Sequence, residues 1–172
     1  MTKGYVQIYT GNGKGKTTAA LGLALRALGA GRQVFLGQFL KGRQVSEIRS
    51  LRRFAPELEM HQFGEPTFVL GKPAPLDLSR AREGWELSKQ AITKGIFDLV
   101  ILDEIIVAAD LGMIALPDLI AVIQAKPAAL ELVLTGRNAP PELLQLADLV
   151  TEMAEVKHYY QTGVAARIGI EK

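Results

Sequence analysis

A glycine-rich stretch near the start of the chain carries the residue types needed to bind phosphate groups. Residues 10–18 follow an apolar segment typical of a strand and precede one typical of a helix. Glycines let a backbone approach a ligand closely, and a helix N-terminus offers free N–H groups to an anion. The Lys16 side chain can then reach phosphates, and the Thr17 hydroxyl can bind Mg²⁺. The stretch predicts a phosphate-binding loop made of Gly11, Asn12, Gly13, Lys14, Gly15, Lys16, Thr17 and Thr18.

The glycine spacing departs from the common form of this loop. In the pattern G-x-x-x-x-G-K-[ST], the last three fixed positions are Gly15, Lys16 and Thr17. The first glycine would fall at Thr10, one residue before Gly11. The shift indicates a loop shaped differently from the common one. The weaker alternative is a tight turn that carries a surface lysine.

Two adjacent carboxylates form the second group of residues that could take part in chemistry. Residues 97–104 are an apolar run that ends in Asp103 and Glu104. Carboxylates at the carboxyl end of a strand lie where open α/β sheets bind ligands, so one can approach a Mg²⁺ bound by Thr17. Acids are also favoured at helix N-termini, which makes a capping role the alternative. Taken with the loop, the pair predicts a metal site, and the residues leave open which acid lies closer to the metal.

Two basic regions allow both a functional and a structural interpretation. Arg137 follows the apolar run 130–135, at another strand end, where it contacts a nucleotide or lies in a surface loop. Residues 45–54 carry Arg49, Arg52 and Arg53 with apolar residues at helical spacing. They form either an amphipathic surface helix or a basic patch that faces phosphates.

The hydrophobic pattern predicts a scaffold that brings these strand ends together. Unbroken apolar runs alternate with helical segments, which favours a parallel sheet with helices on both faces. We expect one domain over residues 1–172, of the α/β class, with three layers and a mostly parallel sheet. The alternation in residues 164–170 also predicts an edge strand near the end of the chain.

Composition excludes several classes of site. The chain has no cysteine, so disulfides, zinc–thiolate centres and cysteine nucleophiles are excluded, and its two histidines are far apart in sequence. A net charge of +2 gives little support to nucleic-acid binding. The sequence shows neither a signal-peptide pattern nor an apolar run long enough to span a membrane. We therefore expect a cytoplasmic protein without nucleic-acid or membrane partners.

These segments together resemble the corrinoid adenosyltransferases of the phosphate-loop type, which act on cob(I)alamin or cob(I)yrinic acid a,c-diamide. The resemblance runs from about residue 5 to the C-terminus. Besides the loop with its shifted glycine, it includes residues 38–42, 102–104, 135–137 and 156–158 followed by Gly163. Each block alone is modest, but their order and spacing make the match specific.

The resemblance implies a RecA-like fold and transfer of the 5′-deoxyadenosyl group of ATP to the Co(I) centre of a reduced corrinoid, with release of triphosphate. ATP would be the co-substrate, bound by residues 11–18 and by Arg137. Lys16 and Glu104 would be the catalytic residues, and Thr17 would hold Mg²⁺ with Glu104 or Asp103. The resemblance also implies a reductase or flavoprotein partner that supplies Co(I), a homodimer, and a role in adenosylcobalamin biosynthesis or salvage.

Two departures from the family pattern concern the corrinoid pocket. Enterobacterial members carry an N-terminal helical extension, which we expect this chain to lack because it starts at the first predicted strand. They also carry a Phe-Thr-Trp segment below the corrinoid, where this chain reads Gly-Glu-Pro-Thr-Phe-Val over residues 64–69. Phe68 is therefore the one candidate for an aromatic contact in that pocket.

Three other functions fit parts of the pattern. A small-molecule kinase would use Arg43, Arg49, Arg52 and Arg53 as a lid on phosphates and would leave ADP. A switch-type ATPase of the deviant-loop group needs a lysine five residues before Lys16, where this chain has Gly11. RecA-like DNA binding lacks the basic, aromatic-rich groove that single strands require.

Overall fold

Strands and helices alternate along the computed structural model, which describes residues 2–43, 45–67, 69 and 71–172. The strands are β1 (Val6–Thr10), β2 (Val34–Phe39), β3 (Leu58–Phe63), β4 (Leu99–Asp103), β5 (Glu131–Thr135) and β6 (Leu149–Glu152). The α-helices are α1 (Lys16–Gly29), α2 (Ser46–Leu51), α3 (Pro75–Thr93), α4 (Ile105–Asp110), α5 (Leu116–Gln124) and α6 (Pro141–Leu146). Two short 3₁₀ helices span Arg52–Phe54 and Tyr159–Thr162.

These strands form one parallel sheet in the order β3-β2-β4-β5-β1-β6. Every residue of β2 and β4 is buried, as the unbroken apolar runs in their sequences indicate. Parallel pairing puts the carboxyl ends of neighbouring strands at one edge of the sheet, where open α/β folds bind ligands. The predicted α/β class and parallel sheet are confirmed.

Helices cover both faces of the sheet and create two hydrophobic clusters. Along β2, Phe35 packs into the cluster that contains Trp85 of α3, whereas its neighbour Leu36 packs into the one that contains Ala24 of α1. This division follows from the alternation of side chains along a strand. The fold therefore has the three layers that the sequence predicts.

The prediction of an edge strand over residues 164–170 is wrong. The edge strand on this side of the sheet is β6, and residues 168–171 form a turn. Left-handed φ angles at Gly163 (83°) and Gly169 (79°) bend the chain, and the Arg167 guanidinium contacts the Glu171 carboxylate at 3.0 Å. In an extended strand these two residues would be about 13 Å apart. The charge pair closes a turn that an apolar pattern does not reveal.

Helix length and charge bear on membrane insertion. The 19-residue α3 is long, but charged residues recur along it. In the described part of the chain, no helix combines the length and apolar character that a membrane span needs.

Candidate active site

The predicted phosphate loop lies between β1 and α1, at the carboxyl edge of the sheet. Its backbone takes left-handed φ angles at Gly11 (94°) and Gly15 (127°), which residues with a side chain rarely adopt. A Cβ on Gly11 would lie 2.5 Å from the Met153 carbonyl oxygen, and one on Gly13 would lie 2.6 Å from it. The Gly13 N–H donates to that carbonyl. The glycines therefore let the chain that leaves β6 pack directly on the loop.

Lys16 opens α1 and folds back beneath the loop. Its side chain is buried, and its Nζ donates to the carbonyl oxygens of Gly11 at 2.6 Å and Gly13 at 2.8 Å. Burial lowers the pKa of this lysine, partly offset by the nearby carboxylates of Glu104 and Asp103. The two carbonyl contacts fix the ammonium under the turn that would surround a phosphate group.

Asp103 ends β4, is fully buried, and is the centre of a polar group that we call the Asp103 cluster. Its Oδ1 accepts from Thr135 Oγ1 at 2.7 Å and Thr17 Oγ1 at 3.0 Å. Its Oδ2 accepts from Lys41 Nζ at 2.6 Å and Gln38 Nε2 at 3.0 Å. Gln38 lies opposite Asp103 in the β2–β4 register, and Thr135 ends the other neighbouring strand. Sheet order therefore assembles the cluster from three strand ends, the loop and Lys41.

Glu104 follows Asp103 and lines the cavity above the cluster. Its backbone φ is 61°, and its N–H donates to Thr135 Oγ1 at 2.9 Å. Burial raises the pKa of the Glu104 carboxyl, and the charge of Asp103 raises it further. A cation placed between the two carboxylates would oppose both effects.

Backbone strain is concentrated at this edge of the sheet. Among the described residues, the non-glycine positions with left-handed φ are Leu40 (60°), Glu104 (61°) and Asn138 (54°). They follow the ends of β2, β4 and β5 respectively. Each such position costs about 1–3 kcal/mol and persists where the surroundings enforce it, which is common at binding sites.

A cavity of about 880 Å³ opens over the loop, a volume suited to a small-molecule ligand. The loop side is formed by residues 12–18, with Glu104, Arg137 and Lys41 beside them. The remaining lining residues are Leu21, Ser46, Glu47, Ser50, Glu155, His158, Tyr160, Gln161, Gly169, Ile170, Glu171 and Lys172. The predicted contacts Asn12 and Arg137 thus face the same space as Lys16 and Thr17.

The end of the chain reaches the loop through a second polar group, which we call the C-terminal cluster. Lys14 Nζ donates to Tyr159 OH at 2.9 Å and Glu171 Oε1 at 2.8 Å. The Arg167 guanidinium donates to the same carboxylate, as does the Tyr159 hydroxyl. Arg167, Lys14 and Tyr159 together hold the pKa of Glu171 far below its usual range.

The structure brings most of the predicted site residues together. The loop, Glu104 and Arg137 share one cavity, and Asp103 contacts Thr17 beneath it. Residues 46–51 form the predicted amphipathic helix α2. Among the described residues, the arginines of segment 43–53 do not line the cavity. Phe68, the candidate for the corrinoid pocket, lies outside the described residues.

Sequence reasoning assigned no role to Gln38, Lys41 or Thr135. All three lie at or just beyond strand ends, inside blocks that carry the family resemblance. The signal for Gln38 and Thr135 is a polar side chain in an apolar strand, which is costly to bury without a partner; Lys41 lies beyond the end of β2 and gives no such signal. The tail residues Tyr159 and Glu171 gave no comparable signal, because polar residues near a terminus are ordinary.

Comparison with known proteins identifies the family to which the chain belongs. Residues 2–171 match the family described as ATP:corrinoid adenosyltransferase BtuR/CobO/CobP. The corrinoid adenosyltransferase of Pseudomonas aeruginosa is 38% identical over 170 residues, which is 98% of this chain and 84% of that protein. The enzyme of the same name from Escherichia coli K12 is 34% identical over 174 residues, covering 98% of this chain and 86% of the relative. Corrinoid adenosyltransferase CobA of Salmonella typhimurium is 33% identical with the same coverage. The chain therefore belongs to the ATP:corrinoid adenosyltransferase family.

Proposed function

We propose that this protein transfers the 5′-deoxyadenosyl group of ATP to the Co(I) centre of a reduced corrinoid and releases triphosphate. The observation that carries the proposal is the phosphate loop lining one cavity together with Glu104 and Arg137, in a chain that matches the family over residues 2–171. The reaction would serve the biosynthesis or salvage of adenosylcobalamin. The kinase alternative finds no support in the relatives or in the position of the arginines of residues 43–53.

The proposed reaction needs no general base, because the attacking Co(I) carries no proton to remove. The Co(I) lone pair forms the Co–C5′ bond while the C5′–O bond breaks, and that electron pair leaves with the triphosphate. Cobalt is formally oxidised to Co(III), and no proton is removed from the nucleophile. The protein then contributes alignment of C5′ and stabilisation of the leaving anion.

The loop residues would bind the triphosphate, with Lys16 as the principal positive charge. Residues 11–18 offer backbone N–H groups at the start of α1, and Asn12 and Arg137 would contact the nucleotide. The family resemblance implies that the triphosphate lies reversed relative to ordinary phosphate-loop proteins, so that C5′ faces the cobalt. A structure with bound ATP in the usual direction would refute this orientation.

Thr17, Asp103 and Glu104 would hold Mg²⁺ together with triphosphate oxygens. These are hard oxygen donors, and magnesium in nucleotide sites is usually bound by one or two carboxylates plus phosphates. In the described part of the chain, no three His, Asp or Glu side chains form a metal site by themselves. The donor set therefore fits a cation that arrives with its nucleotide. Bound there, Mg²⁺ would neutralise part of the charge on the leaving triphosphate.

Three further properties belong to the proposal. Co(I) must be generated, so a reductase or flavoprotein would supply the electron. We also propose a homodimer and a cytoplasmic location.

The test is anaerobic incubation with ATP, Mg²⁺ and chemically reduced cobalamin. We expect the corrinoid spectrum to change to that of the Co–C product, with one triphosphate released per turnover. Lys16→Ala should lower the rate at least about 100-fold, since it removes charge stabilisation at the leaving group. Lys126→Ala is the matched control, because that lysine binds the Gly4 and Leu130 carbonyls away from the cavity. Tight ATP binding with no spectral change, or release of ADP, would reject the proposed reaction.

A further inference from the structure

Lys41 occupies the position where a cation would meet its oxygen ligands. Its Nζ lies 2.6 Å from Asp103 Oδ2 and 3.0 Å from Thr17 Oγ1. Asp103 and Thr17 are two of the residues proposed to hold Mg²⁺. An ammonium group and a divalent cation repel each other and would need the same oxygen atoms. The two cations therefore compete for this carboxylate oxygen.

The backbone that carries Lys41 is fixed, whereas its side chain has space to move. Leu40 has a φ of 60°, and its N–H donates to the Phe63 carbonyl at 3.3 Å. A Cβ on Gly42 would lie 2.2 Å from the Gly64 carbonyl oxygen, so the next residue is also packed against the chain after β3. The Lys41 side chain is 28% exposed and lines the cavity. Rotation of the side chain alone can carry the ammonium from Asp103 into the cavity.

We propose that Lys41 is a built-in competitor of the divalent cation. Its ammonium neutralises the buried Asp103 carboxylate until a Mg–nucleotide complex arrives, and it then turns into the cavity toward the triphosphate. This inference rests on the magnesium site of the proposed function. It makes Lys41 a positioning residue that weakens binding of the free metal ion and couples metal binding to the nucleotide.

The direction of the effect on metal affinity distinguishes competition from a structural role. We would titrate the full chain with Mn²⁺ in the absence of nucleotide and measure free Mn²⁺ by electron paramagnetic resonance. Lys41→Met should bind Mn²⁺ about tenfold more tightly than the wild type, or about 1.4 kcal/mol. A lysine that only supports the local structure would give unchanged or weaker binding in this variant, and that result would overturn the proposal.

Two control variants separate competition at Asp103 from a general charge effect and from a folding defect. Lys126→Met also deletes a partly buried lysine, but one bound to backbone carbonyls at the opposite edge of the sheet. Its Mn²⁺ affinity should equal that of the wild type; an equal gain in both variants would mean that lost charge alone tightens binding and would overturn the proposal. If Lys41→Met does not fold, Lys41→Gln provides the same comparison with a polar side chain.

Two measurements separate this inference from the proposed reaction. Asp103→Asn should abolish the Mn²⁺ binding gained in Lys41→Met; if the double variant retains it, the metal site is elsewhere and the proposal fails. Saturating Mn²⁺ should also raise the melting temperature of Lys41→Met more than that of the wild type, by about 3–6 °C. Absence of adenosyl transfer would reject the reaction and leave both results intact.

Discussion

The phosphate loop has a lysine–carboxylate pair on each side, and the two pairs differ in burial. In the Asp103 cluster, Lys41 and Asp103 are 2.6 Å apart and the carboxylate is fully buried. In the C-terminal cluster, Lys14 and Glu171 are 2.8 Å apart with side chains 41% and 16% exposed. Asp103 ends a central strand, whereas Glu171 belongs to a turn near the chain end.

The two ion pairs have similar lengths, but their contributions to the free energy of folding differ because their burial differs. A buried carboxylate loses its hydration, so each neighbour that donates to it is needed in the folded state. A carboxylate near the surface can exchange its protein partners for water, and salt screens its charge. We infer that the Asp103 cluster determines stability and cation binding. The C-terminal cluster instead affects how readily the Lys14 ammonium can bind a ligand.

The largest expected effect comes from Asp103→Asn. This change keeps the shape of the side chain but leaves Lys41 without its countercharge, and an amide nitrogen would face the hydroxyl donors. We expect the free energy of unfolding to fall by about 3 kcal/mol in urea titrations.

The matched change in the other cluster is Glu171→Gln, which should reduce stability far less. Equal losses in the two variants would contradict the contrast between a buried and a surface carboxylate.

Thr135→Val tests whether a single buried partner of Asp103 contributes measurably to the free energy of unfolding. Thr135 Oγ1 donates to Asp103 at 2.7 Å and accepts from the Glu104 N–H at 2.9 Å. Valine has nearly the same shape without the hydroxyl, so both contacts are lost in a fully buried place. We expect a loss of about 1–3 kcal/mol in thermal or denaturant unfolding. Thr93→Val is the control, since that exposed hydroxyl donates only to backbone oxygens of α3.

The contrast between the two clusters also bears on how much of the site the sequence predicts. The loop and the Asp103–Glu104 pair are visible because glycine spacing and carboxylates after an apolar strand are local patterns. The roles of Gln38 and Thr135 are not local, since they depend on β4 lying between β2 and β5. No pattern within one strand specifies its neighbours.

The C-terminal cluster was harder to predict for a different reason. Residues 164–170 alternate like a strand, but hydrogen bonds and ion pairs to Glu171 favour a turn over an extended chain. Glu171 also pairs with Lys14, which is 157 positions away in sequence. A prediction from apolar positions alone omits both the ion pair within the turn and this long-range pair.

Glu171→Gln should change nucleotide binding by a small, salt-dependent factor. The carboxylate offsets the charge of Lys14 in the loop that would bind a triphosphate. Its removal should tighten ATP binding about two- to fivefold at low ionic strength, and the gain should shrink as salt is added. Isothermal titration calorimetry at two salt concentrations measures this. Glu83→Gln breaks a comparable surface pair with Arg80 on α3 and serves as the control. Weaker ATP binding in Glu171→Gln would show that the carboxylate instead positions the lysine for its ligand.

The pH dependence of stability gives the smallest expected effect. Arg167, Lys14 and Tyr159 lower the pKa of Glu171 from its ordinary value of 4.5. At acid pH the unfolded chain therefore binds more protons at this position than the folded chain, so stability rises with pH. The contribution is present above pH 4.5 and is lost as pH falls toward the folded pKa.

Unfolding free energies of the wild type and Glu171→Gln should therefore differ near neutral pH and draw together as pH falls below 4.5 toward the folded pKa. Denaturant titrations across that range measure the convergence. If the unfolding free energies of the two proteins differ by the same amount at every pH, the ionised carboxylate contributes nothing to the stability of the folded state. Added salt should reduce the difference at neutral pH, because these groups lie near the surface. The cost of Asp103→Asn should remain in salt, since the buried carboxylate is shielded from mobile ions.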